Sequence, residues 1–128
     1  MKLLLDTHAF LWFAADDPRL SPAAKSAIED PSSETYLSVA SVWEMAIKVS
    51  LGKLRLDKGV MEFITEQLSR NAFALLSIEL AHVAKVADLP FHHRDPFDRL
   101  LVAQCLVQDM PLITRDPAVE LYGVTRIW

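Results

Sequence analysis

Short apolar segments alternate with helical segments along the whole of this chain, and this order restricts the possible folds more than any other feature. The apolar runs predict strands at residues 3–5, 35–39, 73–76, 112–114 and 122–127. Helices are predicted between them, at residues 8–14, 21–30, 41–51, 60–72, 79–87 and 95–108. Such alternation is typical of an α/β fold with a mostly parallel central sheet flanked by helices.

Local signals place the ends of several helices. Ser21, Asp95 and Asp116 each stand directly before a proline, which is a common helix start. Ser41 is the predicted cap of the helix at 41–51, and Gly52 is the residue predicted to end it. The chain has only three glycines, no repeat and no low-complexity linker, so we expect one domain over residues 1–128.

The composition excludes several classes of protein. Hydrophobic residues make up 52% and charged residues 23% of the chain, which excludes a disordered polyelectrolyte. No uncharged stretch is longer than that of residues 7–15, which is far shorter than the roughly 20 residues of a membrane span. The first apolar run ends at Asp6, which argues against a signal peptide. The single cysteine, Cys105, excludes an internal disulfide, so we expect a buried thiol in a cytoplasmic protein.

Four acidic residues lie where predicted strands end or the following helices begin. These residues are Asp6, Glu44, Asp98 and Asp116. In a parallel sheet this edge is the usual ligand site, and converging carboxylates need protons or a divalent cation. Oxygen ligands at this density suit Mg²⁺ or Mn²⁺. The net charge is −4, and setting these four aside leaves 13 of the 17 acidic residues against 13 basic ones.

Each acid also has a structural interpretation. Glu44 could form a capping box with Ser41, and Asp95 and Asp116 could be plain helix caps. Asp98 lies in the first turn of a helix, where the helix dipole favours an acid. Asp6 follows a strand and has no evident capping partner in the sequence, so the structural interpretation leaves it unexplained.

Four motifs, in order, resemble the PIN-domain ribonucleases, specifically the toxins of VapBC-type toxin–antitoxin systems. The motifs are LLDTH at 4–8, SVASVWEMAIK at 38–48 with GKL at 52–54, RDPFDRLLVAQ at 94–104 and PLITRD at 111–116. The resemblance spans essentially the whole chain. It implies a single PIN-like domain that hydrolyses RNA phosphodiester bonds with Mg²⁺ or Mn²⁺. It also implies a homodimer, no membrane association, and a small antitoxin as partner.

The resemblance assigns the acids residue by residue. Asp6, Glu44, Asp98 and Asp116 match the family's catalytic acids, with Asp6 and Asp98 as principal metal ligands. Asp95, three residues before Asp98, is interpreted as the cap. Thr114 matches the family's hydroxyl residue beside the last acid, and Thr7 is a possible accessory residue near Asp6, although a plain cap fits it equally well.

Other residues are weaker candidates. An acidic chain needs local cations to bind RNA, and these are predicted around the acids and after the Glu44 helix: Arg94, Arg99, Arg115, Lys48 and Lys53, with Arg55 and Lys58 nearby. An ordinary charged surface is the alternative. His92 and His93 are expected to be solvated, His8 to pack in its helix, and Trp12, Phe13 and Trp43 to lie in the core. The resemblance also makes Trp12 and Phe13 candidates for the antitoxin groove.

Two other functions would also use acidic residues at this edge of the sheet. A phosphate-accepting receiver module also gathers carboxylates and Mg²⁺, but it needs an acidic pair after the first strand and a lysine after a late one. Here Thr7 follows Asp6, and Arg115 follows Thr114. A catalytically inactive PIN scaffold is the other alternative, and the presence of all four acids argues against it.

Overall fold

The computed structural model describes all residues 1–128 and contains one five-stranded sheet, in which every neighbouring pair of strands is parallel. The strands are β1 (Lys2–Leu5), β2 (Glu34–Ser38), β3 (Ala74–Leu76), β4 (Leu112–Ile113) and β5 (Arg126–Ile127). Their order across the sheet is β3-β2-β1-β4-β5. The predicted α/β class with a parallel sheet is therefore confirmed.

Six α-helices and one short 3-10 helix cover the sheet. They are α1 (Thr7–Ala14), α2 (Pro22–Glu29), α3 (Val39–Ser50), α4 (Val60–Asn71), α5 (Leu80–Val86), α6 (Pro96–Gln108) and the 3-10 helix Pro117–Tyr122. Two predicted boundaries are wrong. The cap of α3 is Ser38 and not Ser41, and the last strand is confined to Arg126–Ile127 because the 3-10 helix extends to Tyr122.

The sheet separates two hydrophobic clusters. Leu3 and Leu5 of β1 point into one cluster, with α1, α2 and α4, while Leu4 points into the other, with α6. This alternation follows from the two-residue period of a strand. Because all three leucines are fully buried, β1 is the centre of the fold. Cys105 is buried, as predicted, but Trp43 is 56% exposed, so its assignment to the core is wrong.

The topology opens a crevice at the carboxyl end of β1. The chain leaves β1 to build β2 and β3 on one side, and β4 and β5 are later added on the other. Connections that diverge in this way leave a cleft beyond the strand ends. Asp6 directly follows β1, and Thr114 directly follows β4, so both lie at this point. None of the helices has the length and apolar character needed to cross a membrane.

Candidate active site

All four predicted acids line one cavity of about 450 Å³ at this end of the sheet. Only one of the twelve lining residues is hydrophobic. The other residues that line the cavity are the predicted accessory residues and their neighbours: Thr7, His8, Trp12, Lys48, Asp95, Thr114, Arg115 and Pro117. The cavity is therefore lined mainly by carboxylates, with a few basic side chains beside them.

Asp6 is both a helix cap and a member of the cavity. Its Oδ1 accepts a hydrogen bond of 2.7 Å from the backbone N–H of Ala9, so Asp6 caps α1. The expectation that Asp6 has no capping partner is wrong. Burial raises the pKa of this carboxyl, hydrogen bonds from Thr114 and Ala9 oppose the shift, and the charge of Glu44 adds to it.

Glu44 is held by a threonine and a lysine. Because α3 begins at Val39, Ser41 lies inside the helix and the predicted capping box does not form. Instead Thr7 donates from Oγ1 to Glu44 Oε1 at 2.6 Å, and Lys48 Nζ lies 2.9 Å from Oε2. Thr7, predicted as an accessory to Asp6, thus contacts a different acid.

Asp95 and Asp98 have different environments. Asp95 Oδ1 accepts a hydrogen bond of 2.8 Å from the N–H of Phe97, which makes Asp95 the N-cap of α6. Asp98 lies one turn further in. Its pKa is raised to about 6, first by burial, then by repulsion from Asp95 and, more weakly, from Glu44 and Asp6, while His93 lowers it. Asp98 is thus an acid whose ionised form is disfavoured without a nearby cation.

Asp116 caps the 3-10 helix and contacts a histidine that the sequence interpretation placed in solvent. Its Oδ1 accepts from the N–H of Ala118 at 2.9 Å, and its own N–H donates to Thr114 Oγ1 at 3.2 Å. Its Oδ2 lies 3.0 Å from Nε2 of His93, whose side chain is only 11% exposed. The prediction of a solvated His93 is therefore wrong, whereas His92 is exposed.

The predicted RNA-binding cations divide into four groups, of which Lys53 belongs to the groove described below. Arg115 and Lys48 line the cavity, and the Arg115 guanidinium lies 5.0 Å from the ring centre of Trp12. Arg94 is exposed at the start of the α6 segment. Arg99 is buried and donates to backbone carbonyls, so its assignment to RNA binding is wrong.

A second, larger groove of about 730 Å³ adjoins the cavity. It lies between α1, α4 and the segment that joins α3 to α4, and it shares His8, Trp12 and Lys48 with the cavity. Its lining includes the remaining predicted cations: Lys53, Arg55 and Lys58. Trp12 is buried yet borders both spaces. Phe13 does not line the groove, because its ring packs against Phe73 at 5.6 Å.

The donor set of the cavity fits a hard divalent cation. Its acidic side chains supply carboxylate oxygens, the ligands that such a cation prefers. The pKa values of Asp6 and Asp98 are raised, so the site disfavours their ionised forms unless a cation neutralises them. No three acidic or histidine side chains are close enough together to hold one ion by themselves. An ion bound here would therefore complete its coordination with water, as Mg²⁺ commonly does.

The sequence and the fold have counterparts among known proteins. The PIN domain family matches residues 3–123. Ribonuclease VapC22 of Mycobacterium tuberculosis is 31% identical over 117 residues, covering 89% of this chain and 86% of that protein. Ribonuclease VapC16 of the same organism is 32% identical over 71 residues, covering 52% of this chain and 50% of that protein.

Solved structures match over nearly the full length. VapBC2 from Rickettsia felis, bound to a DNA fragment from its promoter, has a TM-score of 0.74 at 11% identity and covers 98% of this chain and 97% of that one. VapBC-1 from nontypeable Haemophilus influenzae has a TM-score of 0.66 at 14% identity, covering 98% and 96%. These two matches concern the fold alone. The family match and the VapC22 relative show that the chain belongs to the PIN-domain family and is a VapC-type member of it.

Proposed function

We propose that this protein is an endoribonuclease dependent on Mg²⁺ or Mn²⁺, and that it acts in the cytoplasm as the toxin of a toxin–antitoxin pair. The observation that carries the proposal is the convergence of Asp6, Glu44, Asp98 and Asp116 on one cavity in a VapC-type chain. Two relatives that match this sequence are named as ribonucleases. The family match sets aside the receiver module, and the inactive PIN scaffold is the alternative to be tested.

The acidic residues of the cavity would have different roles in binding the cation. Asp6 and Asp98 would be the principal ligands of the cation, and Glu44 and Asp116 would act directly or through water. When bound, the cation supplies a Lewis acid that neutralises charge on the phosphate and makes water a better nucleophile. Thr7 holds one oxygen of Glu44, and the Thr114 hydroxyl accepts a hydrogen bond from the backbone N–H of Asp116.

Cations at the edge of the cavity supply attraction for the RNA backbone. Arg115 and Lys48 line the cavity, and Arg94 is exposed beside it, while Lys53 faces the adjoining groove. A net charge of −4 gives the whole chain no general attraction for RNA, so binding depends on these local groups. Arg115 packs on the ring of Trp12, and Lys48 is paired with Glu44.

The adjoining groove is the proposed site of the antitoxin. Leu11, Leu54, Leu56 and Phe63 give it an apolar lining, which suits the apolar face of a helix. The groove opens onto the acids through the shared residues Trp12, His8 and Lys48. A peptide helix seated there could extend an arginine or lysine towards the carboxylates, which a guanidinium binds in bidentate fashion. Two solved structures of this fold are named as VapBC assemblies.

Cleavage of a mixed RNA pool by the purified chain tests the proposal. We expect cleavage with Mg²⁺ or Mn²⁺, none with EDTA, and none with Asp6→Asn in either metal, because an amide is a poor ligand for a hard cation. Retained secondary structure in the variant shows that the loss is chemical. A folded wild-type protein that leaves RNA intact in both metals would instead support the inactive scaffold.

A further inference from the structure

A buried arginine holds the segment that joins α5 to α6. The Arg99 guanidinium donates to the carbonyl oxygens of Val86 at 3.1 Å, Leu89 at 3.2 Å, Pro90 at 2.9 Å and His93 at 3.3 Å. Arg99 is only 6% exposed. Because a guanidinium is planar and its donors diverge in fixed directions, four carbonyls on one group define the path of the backbone. The segment is thus ordered without regular secondary structure.

The same segment is fastened at its far end to the 3-10 helix. The backbone N–H of His93 donates to the phenol oxygen of Tyr122 at 2.8 Å, and the two rings lie 5.8 Å apart. Tyr122 ends the 3-10 helix that Asp116 begins. His93 is therefore held from both sides, by Arg99 at its carbonyl and by Tyr122 at its N–H.

The imidazole held in this way contacts one oxygen of Asp116. Ala118 donates to Oδ1 of Asp116, whereas Oδ2 lies 3.0 Å from His93 Nε2. Nε2 is shielded from solvent, and its approach to Asp116 lacks the alignment of a full hydrogen bond. The distance is nevertheless that of a polar contact, so we regard the pair as interacting. The two contacts together restrict the rotation of the carboxylate.

His93 acts from behind Asp116 and not within the cavity. Asp116 and His8 line the cavity, and His93 does not. We propose that His93 is a positioning residue, which orients the Asp116 carboxylate towards the cavity and is itself placed by Arg99 and Tyr122. The inference rests on the cation site of the proposed function, which gives Asp116 its role. Such outer partners of metal-site carboxylates typically contribute 10–100-fold to metal affinity or activity.

Three substitutions at position 93 and one matched control test the proposal. His93→Ala removes the contact, His93→Leu keeps much of the packing volume without a donor, and His93→Gln restores an N–H donor. His92→Ala is the control, because His92 also packs against Tyr122, at 4.9 Å, but is exposed and makes no contact with Asp116. The readouts are Mn²⁺ binding by titration calorimetry, RNA cleavage against Mn²⁺ concentration, and the thermal midpoint.

We expect His93→Ala and His93→Leu to weaken Mn²⁺ binding and to raise the Mn²⁺ needed for half-maximal cleavage by about 10-fold to 100-fold. His93→Gln should recover most of the loss, and His92→Ala should match the wild type. In an Asp116→Asn background, His93→Leu should have no further effect on Mn²⁺ binding, because the group it orients has changed. If His93→Ala fails to fold, the comparison of His93→Leu with His93→Gln decides.

Two outcomes would overturn the proposal alone. The first is an active protein in which His93→Leu binds Mn²⁺ as tightly as His92→Ala does. The second is an undiminished effect of His93→Leu in the Asp116→Asn background. A folded wild-type protein that binds no Mn²⁺ overturns the proposed function together with this inference. One that binds Mn²⁺ but leaves RNA intact overturns only the function, since calorimetry still reports on His93.

Discussion

At the scale of single residues, two aspartates three positions apart do different things. Asp95 accepts the hydrogen bond that begins α6, whereas Asp98 lies further into the cavity and has a pKa of about 6. Because Asp95 stands directly before Pro96, the sequence interpretation took Asp95 as the cap of α6. The hydrogen bond from the N–H of Phe97 identifies Asp95 as the cap.

The difference predicts unequal effects of two matched substitutions on RNA cleavage. Asp98→Asn should abolish cleavage, because the amide replaces a proposed metal ligand. Asp95→Asn should retain most of the activity, since asparagine caps a helix about as well as aspartate. Initial cleavage rates at saturating Mg²⁺ measure both. Loss of activity in Asp95→Asn, with activity kept in Asp98→Asn, would reverse the assignment.

The raised pKa of Asp98 predicts how stability varies with pH in the metal-free protein. The folded state favours the protonated carboxyl relative to the unfolded chain, in which the pKa is near 3.8. The contribution of this group is therefore fully present below about pH 4, is lost as the pH rises to about 6, and stays lost above that. Burial of Asp6 acts in the same direction.

Thermal unfolding in EDTA tests this pH dependence. The melting temperature of Asp98→Asn, compared with that of the wild type, should rise between about pH 4 and pH 6 and then level off. Saturating Mg²⁺ should raise the melting temperature of the wild type at pH 7, because the ion binds only the folded chain. A metal-free Asp98→Asn that melts below the wild type at pH 7 would mean that this acid stabilises the fold.

At the scale of elements, the start of α3 decides what Glu44 contacts. Ser38 accepts from the N–H of Ala40 at 3.0 Å and donates to Gln104 Oε1 at 2.6 Å, which joins α3 to α6. The Ser41 hydroxyl is buried and has no hydrogen-bond partner. With the cap at Ser38, Glu44 is left to contact Thr7.

Serine-to-alanine substitutions distinguish the true cap from the predicted one. Ser38→Ala should lower the free energy of unfolding by about 2 kcal/mol, because both the cap and a buried hydrogen bond are lost. Ser41→Ala should leave it unchanged or raise it, because the substitution removes a buried hydroxyl that has no hydrogen-bond partner. Urea unfolding measures both values. Equal destabilisation by the two substitutions would contradict the observed helix start.

The backbone path of the segment between α5 and α6 depends on the hydrogen bonds from Arg99. Arg99→Ala leaves buried carbonyl oxygens unpaired and should lower the free energy of unfolding by about 3 kcal/mol. Arg94→Ala, an exposed neighbour, should change it by no more than about 0.5 kcal/mol. If Arg99→Ala keeps its stability in urea but loses affinity for RNA, the interpretation of Arg99 as an RNA-binding residue would be restored.

At the scale of the whole molecule, a basic and partly apolar groove opens onto an acidic cavity. The groove carries Arg19, Lys48, Lys53, Arg55 and Lys58 against three acids, whereas the cavity holds five carboxylates. A single peptide that occupies both spaces would therefore need opposite charges at its two ends. A peptide would meet this requirement if its helix carried acidic residues into the groove and its basic tail reached the acids of the cavity.

A groove substitution tests this occupancy with the co-expressed antitoxin. Trp12 is too buried to serve, so Leu56→Asp is preferred, because Leu56 lines the groove and is only partly buried. We expect at least about tenfold weaker binding, since the charge would be buried against an apolar helix face. Leu80→Asp, exposed and outside the groove, is the control. Equal affinities of the two variants for the antitoxin would place its site elsewhere.

The sequence by itself determined the order of elements, the parallel sheet and the set of acids that meet at one edge. These follow from local signals, because strand and helix periods and proline-marked starts are written within short segments. Asp6, Glu44, Asp98 and Asp116 could likewise be identified from the sequence, because each follows a predicted strand or lies near the start of a predicted helix. The family assignment rests on the same short motifs.

Only the tertiary structure decided which partner each side chain meets. Arg99 donates to backbone carbonyls, His93 contacts Asp116, and Trp43 is exposed. The sequence interpretation had expected RNA binding, solvent exposure and core packing, respectively. Three of the four carbonyl partners of Arg99 come from the non-helical segment between α5 and α6, and the partners of His93 include Tyr122, 29 residues away. No local pattern encodes such contacts, because they exist only once α6 and the 3-10 helix have packed against the same face of the sheet.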